Sequence, residues 1–243
     1  MNIEVVLSPL LYPARQLRDN HTTVAVDVLR ATTAICAAFQ AGAEEVVPLD
    51  SLDPLPDYYR QGYTTAAERG GKKVEVEGVP AMCGNSPTEY LTMDLRGRRL
   101  AYSTTNGTVS ILAAAQSQRL LVGSFANLSA LTDEITRSNP DNLVILCSGW
   151  KGDPCIEDTL FAGALCRNLL QLPDVTLVND AALYSVTLYE SAASDLYGFC
   201  SRATHVHRLQ QMNYDHDIRF AFRPDTCPVV PQLVDGHRLI PVQ

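Results

Sequence analysis

The 243 residues are enough to bury a sizeable core, either as one large α/β domain or as two small ones. Hydrophobic residues at 46% and charged residues at 19% exclude a disordered chain. A formal net charge of −8 argues against broad binding to nucleic acid or to an anionic membrane. The start, Met1-Asn2-Ile3-Glu4, has no basic lead and no apolar run, and no apolar stretch nears the ~20 residues that cross a bilayer. A cytoplasmic location is therefore expected. Seven cysteines without a C-x-x-C pair follow no zinc spacing and read as reduced, mostly buried thiols.

In chain order, strands are expected at Ile3–Leu7 and Thr22–Asp27, then a helix over Ala31–Ala41 and a strand at Glu45–Leu49. Asp50–Ser86 is dense in Pro and Gly and reads as one long irregular excursion. A strand at Arg98–Ser103, a helix over Thr108–Gln116, a strand at Arg119–Gly123, a helix over Leu128–Thr136 and a strand at Leu143–Cys147 follow. Next come a helix over Asp158–Leu170, a strand at Val175–Val178 and a helix over Ala181–Ser191. Beyond Arg223, four prolines point to a segment that wraps the surface without forming a helix. Strand-then-helix alternation predicts a layered α/β fold, a mixed and mostly parallel sheet with helices on both faces, in a single domain over 1–243. No internal repeat divides it.

In such a sheet, ligands bind outside the C-terminal ends of strands. Three polar clusters fall there. The first puts Asp27 at a strand end, with Arg30 three residues on and Thr32-Thr33 at a helix start. A carboxylate in that place suits Mg²⁺, and an Arg can grip a phosphate bidentately. The plainer reading is that Asp27 and Thr32 cap the helix. The second, Ser103-Thr104-Thr105-Asn106-Gly107-Thr108, offers hydroxyls and backbone N–H groups to an anion, or is an ordinary polar cap with an Asn-Gly turn. Gly84-Asn85-Ser86-Pro87 is a similar loop stop and helix start. The third runs from Ser148-Gly149 through Lys151 to Glu157-Asp158, where the acids either complete a metal site with Asp27 or favour the first helical turn.

Familiar phosphatase signatures are absent. A cysteine phosphatase needs an Arg six residues after its Cys, where Cys147 and Cys83 have Asp153 and Glu89. D-x-D-x-T is missing, since Leu29 follows Asp27 at the second Asp position. No P-loop and no G-x-S-x-G elbow occur. His205 and His207 are ~200° apart on a helix and make a poor metal pair.

Taken in order, the clusters resemble the motif series of the 2-phosphosulfolactate phosphatase family. The matching pieces are Val26–Thr33, Glu68-Arg69-Gly70-Gly71, Gly84–Pro87, Thr104–Thr108, and Cys147-Ser148-Gly149 with Glu157-Asp158, followed by His205, Leu209 and Asp217. Asn213 departs from the pattern where a Gly is expected, and Trp150–Ile156 departs from its Gly-rich, aromatic form. The resemblance implies a three-layer α/β/α fold and Mg²⁺-dependent hydrolysis of 2-phosphosulfolactate to sulfolactate and phosphate, within coenzyme M biosynthesis.

On this reading Mg²⁺ is expected to be held by Asp27, Glu157 and Asp158. Arg30, Lys151 and the Thr104-Thr105-Asn106 turn would hold the substrate's anionic groups, with Ser148 and Gly149 beside them. Asn85, Ser86 and Arg69 are further substrate candidates. Glu68 is a metal ligand or acid/base candidate, and His205 a general acid or a core histidine. The nucleophile is open between metal-activated water, Asp27 and Cys147. A non-catalytic binder of a phosphate or sulfonate metabolite, or a sugar-phosphate isomerase or transferase, are competing readings. The expected partner is a small anionic phosphate ester, and a homo-oligomer is compatible with the sequence.

Overall fold

The structure, a computed structural model, describes residues 1–12, 21–76 and 78–242. Its first half builds β1 (Asn2–Val6), β2 (His21–Val26), α1 (Ala31–Gln40), β3 (Glu45–Leu49), α2 (Leu55–Arg60), β4 (Thr64–Arg69), β5 (Lys72–Lys73), α3 (Pro87–Tyr90) and β6 (Arg99–Ser103). Then come α4 (Gly107–Ala113), β7 (Arg119–Gly123), α5 (Leu128–Ser138), β8 (Asn142–Cys147), α6 (Ile156–Leu169), β9 (Thr176–Leu177) and α7 (Asp180–Ala192). The chain ends with α8 (Leu196–Cys200), α9 (Thr204–Gln211), α10 (Asp215–Ala221), β10 (Pro231–Val234) and β11 (Arg238–Pro241).

One mixed sheet runs β5-β4-β6-β3-β11-β10-β7-β2-β8-β1-β9. Strands β4, β6 and β3 are parallel neighbours, as are β7, β2, β8, β1 and β9. The β10–β11 hairpin lies between these blocks, antiparallel to both. Each join is a single register pair, Leu239 with Val46 and Gln232 with Leu121. Strand ends from both blocks meet at one pocket, described below.

Alternation along the central strands explains their apolar sequences. Val24 and Val26 of β2 pack into one core cluster with residues of α5, α6 and α7, while Ala25 packs into the other with α1. Ile145 and Cys147 of β8 share the first cluster, and Val144 and Leu146 the second. Both faces are covered, as a mostly parallel sheet requires, and each large aliphatic side chain so buried contributes about 1.5–3 kcal/mol. Helix α1 is buried along Ala31–Phe39, which its run of small Ala and Thr side chains permits. No helix among the described residues is long and apolar enough to cross a membrane.

All the expected strands are present, each displaced by no more than one residue at an end. Two expectations need correcting. The Asp50–Ser86 excursion contains α2, β4 and β5, and β4 joins the sheet against β6. Its Thr-Thr-Ala-Ala-Glu sequence lacks the large β-branched pattern of a core strand, yet Thr64–Glu68 are all buried. The proline-rich tail forms no helix, as expected, but it does not wrap the surface; it supplies the hairpin at the centre of the sheet. Its prolines frame the hairpin, with Pro231 opposite Pro241 at the open end and Asp235-Gly236, both at positive φ, at the turn.

Candidate active site

Four segments that follow β2, β4, β6 and β8 converge on a pocket of about 270 Å³. Asp27 stands just past β2. Its Oδ1 accepts the Ala31 N–H at 3.2 Å, so it does brace the start of α1. Its Oδ2 carries no hydrogen bond among the described residues, and the side chain lines the pocket. Burial, reinforced by Glu68 and Glu157 and opposed by His205, pushes the carboxyl up to about 6. Gly107 makes the space around it, because a Cβ there would stand 2.3 Å from Ala31 Cβ and 2.7 Å from Asp27 Oδ2. Gly107→Ala is accordingly expected to lose about 1–3 kcal/mol by overpacking and most of the activity, read by urea unfolding and by turnover.

Arg30 is held before any ligand arrives. It donates to Asp217 Oδ2 at 2.9 Å and to the Gly71 carbonyl at 2.7 Å, and stacks over the Tyr214 ring at 3.9 Å. Asp217 also accepts from the Ser86 and Thr88 hydroxyls, each at 2.7 Å. Ser86 therefore serves that hub and caps α3, and does not line the pocket.

Glu68, at the end of β4, spends its carboxylate on loops. It accepts from the Gly71 N–H, from the Thr105 N–H at 3.2 Å and from the Thr105 hydroxyl at 3.1 Å. Asn85 accepts from the Tyr102 hydroxyl, which leaves its NH₂ as the group available on the pocket wall. Thr105 and Asn106 line the pocket, whereas Thr104 turns inward to Thr108. Arg69 points away as well, donating to Ser103 Oγ and the Glu68 carbonyl.

Beyond β8, Gly149 and Lys151 adopt left-handed φ of 60° and 55°, turning the loop so that Trp150 and Lys151 reach the pocket. Ser148 Oγ is buried without a partner among the described residues and does not line it. At the start of α6, Asp158 accepts the Val28 N–H at 2.8 Å and the Gly149 N–H at 3.0 Å, tying two strand-end loops to the helix. Burial, with Asp27 and Glu157 close by, holds its carboxyl well above the usual range. Glu157 Oε1 meets His205 Nδ1 at 2.7 Å, and the imidazole stacks on Trp150 with centroids 5.6 Å apart. The expected triad of Asp27, Glu157 and Asp158 is thus not assembled as one donor set: Asp158 faces backbone amides and Glu157 faces His205. Cys147 lies in the core cluster, its thiol raised well above the ordinary value by burial.

Sequence reasoning missed Arg208, which lines the pocket and donates to the Gly70 carbonyl, and gave Trp150 and Tyr214 no role. Arg208 follows His205 by three residues on α9, a one-turn spacing that was available as a signal. Asn213, the departure from glycine, sits at φ 64°, a conformation asparagine tolerates better than most side chains.

A family model described as 2-phosphosulpholactate phosphatase matches residues 6–236. The chain belongs to that family. A relative from Thermosynechococcus vestitus is 35% identical over 98% of this chain and 99% of its own. One from Picosynechococcus is 34% identical over 95% of both, and one from Caldanaerobacter subterraneus 32% over 91% of both. Each is named a probable 2-phosphosulfolactate phosphatase, a phosphoric monoester hydrolase. Of the candidates named from the sequence, Asp27, Arg30, Glu68, Asn85, Thr105, Asn106, Lys151 and His205 line this pocket, whereas Arg69, Ser86, Thr104 and Ser148 do not.

Proposed function

We propose that the chain hydrolyses 2-phosphosulfolactate, or a closely related phosphorylated 2-hydroxy acid, to the hydroxy acid and inorganic phosphate, with Mg²⁺. The family and the names of the relatives support the reaction. The observation that carries the substrate class is the charge of the pocket. Arg30, Lys151 and Arg208 line it together, outnumbering the carboxyls of Asp27 and Glu68, in a protein whose net charge is −8. A phosphate, a sulfonate and a carboxylate on a three-carbon skeleton call for such a local concentration of cations.

The donor set suits a hard cation held by one carboxylate. Asp27 Oδ2 is unpartnered among the described residues, Gly107 leaves it room, and the neighbouring Glu68 and Glu157 oppose its charge. Mg²⁺ commonly takes one or two carboxylates and fills its shell with water and substrate phosphate. Asp27 is the residue that would hold it, and the ion would offset charge on the transferring phosphoryl group.

The remaining work falls to side chains already in place. Arg30, braced by Asp217 and Tyr214, presents its free N–H groups to an anionic oxygen, with Lys151, Arg208 and the Asn85 amide around it. Glu68 and Asp158 position the loops. His205, tied through Nδ1 to Glu157, has Nε2 to protonate the leaving 2-oxygen.

The test is phosphate release from 2-phosphosulfolactate and phospholactate, against p-nitrophenyl phosphate, with EDTA or Mg²⁺. Turnover should favour the 2-hydroxy acid esters, fall at least ~100-fold in EDTA and return with Mg²⁺. Equal rates in EDTA would remove the metal, and no preference over p-nitrophenyl phosphate would remove the substrate class.

A further inference from the structure

Behind the Trp150 wall lies a second cavity of about 320 Å³, lined by Cys155, Glu157 and His205 among others. Among the described residues these three form the one group of His, Cys, Asp and Glu side chains whose donor atoms all lie within 4.8 Å of one another. We propose that Cys155, Glu157 and His205 form a binding site for a borderline divalent ion of the zinc class, distinct from the Mg²⁺ position at Asp27.

Four observations converge on it. Donor pairs around a tetrahedral zinc with ordinary bond lengths are on the order of 3.3–3.6 Å apart, so modest side-chain movement closes the set. Glu157 Oε2 is buried and has no hydrogen-bond partner among the described residues, which is costly unless something takes it up. The charges also balance, since a thiolate, a carboxylate and a neutral imidazole carry two negative charges against the ion's two positive ones. Finally, sulfur decides the class of ion, because thiolate favours Zn²⁺ or Co²⁺ and is a poor ligand for Mg²⁺. On binding, the thiol proton leaves to solvent, the sulfur lone pair goes to the metal, and nothing is oxidised or reduced.

His205 links the two sites, as it lines both cavities. A metal on Nδ1 would replace the hydrogen bond to Glu157 and leave a neutral imidazole that holds its remaining proton more tightly than an imidazolium. If His205 is the general acid proposed above, on which this consequence rests, zinc loading suppresses turnover.

The site is tested without substrate by titrating metal-stripped protein with Co²⁺. A thiolate-to-cobalt charge-transfer band should appear at one equivalent in the wild type and be missing in Cys155→Ser. Trp150 is the single tryptophan and stacks on His205, so its fluorescence should change over the same titration. Absence of the band, or an equal band in Cys155→Ser of native circular dichroism, overturns the site. In a second arm, Zn²⁺ should lower Mg²⁺-supported phosphate release about tenfold or more in the wild type and leave Cys155→Ser unaffected. A cobalt band without that suppression overturns the link through His205 and leaves the site standing.

Discussion

Asp27→Asn should lose about 10³-fold or more in phosphate release and, in the metal-free protein, become more stable. The loss follows from removing the unpartnered, ionisable oxygen proposed to hold the metal. The gain follows from burial. A carboxyl moved from 3.8 to about 6 is harder to ionise when folded, by about 3 kcal/mol at 1.36 kcal/mol per unit. The sign is set by the direction of the shift: the folded state binds the proton more tightly than the unfolded one. The cost is therefore full above about pH 6 and fades as pH falls toward 3.8. Asn keeps an oxygen for the Ala31 N–H and carries no charge, so its advantage in urea unfolding with EDTA should be about 2–3 kcal/mol at pH 8 and small near pH 4. Full activity in this variant, or lower stability at both pH values, would remove the role given to Asp27. Mg²⁺ should narrow the gap at pH 8, since only the wild type gains from binding it.

The strand ends were legible because sheet physics writes them plainly. Apolar runs such as Thr22–Val26 and Leu143–Cys147 must be buried on two faces, and the polar residues just past them must lie at the sheet's rim. That logic reached Asp27, Arg30, Thr105, Asn106 and Lys151, all of which line the pocket. It failed where function is set by side-chain direction. Thr104 and Thr105 are neighbours in one motif, yet the first accepts the Thr108 N–H in the first turn of α4 and the second meets Glu68 beside the pocket. Glu157 and Asp158 likewise diverge, to His205 and to backbone amides, because successive helical residues project ~100° apart. The tail was misread because four prolines outweighed the Asp235-Gly236 turn signal, although proline is harmless at the ends of a hairpin strand. Arg208 stands one helical turn after His205, but its place at the pocket also depends on a contact between α9 and the Gly70 loop across 138 residues of sequence.

That reliance on distant contacts makes Asp217 the second position of large effect. Its side chain has 0% exposure, and it holds Arg30, Ser86 and Thr88 at once, joining the starts of α1 and α3 to α10. Asp217→Ala should cost about 3–5 kcal/mol, because the Arg30 guanidinium stays 2% exposed without its counter-charge. Arg30 would also swing from its fixed line, so kcat/KM should fall at least ~100-fold even at temperatures where the variant is folded. The pair Arg30→Met with Asp217→Leu separates the two effects. Removing both charges together relieves the buried imbalance and should recover most of the lost stability, since a buried ion pair often gains little over apolar side chains of similar size. It cannot restore the anion contact, so phosphate release should stay at the level of the Arg30→Met single variant. Recovery of activity along with stability would show that Arg30 acts only as a structural partner of Asp217, and the phosphate would then have to be held by Lys151 and Arg208.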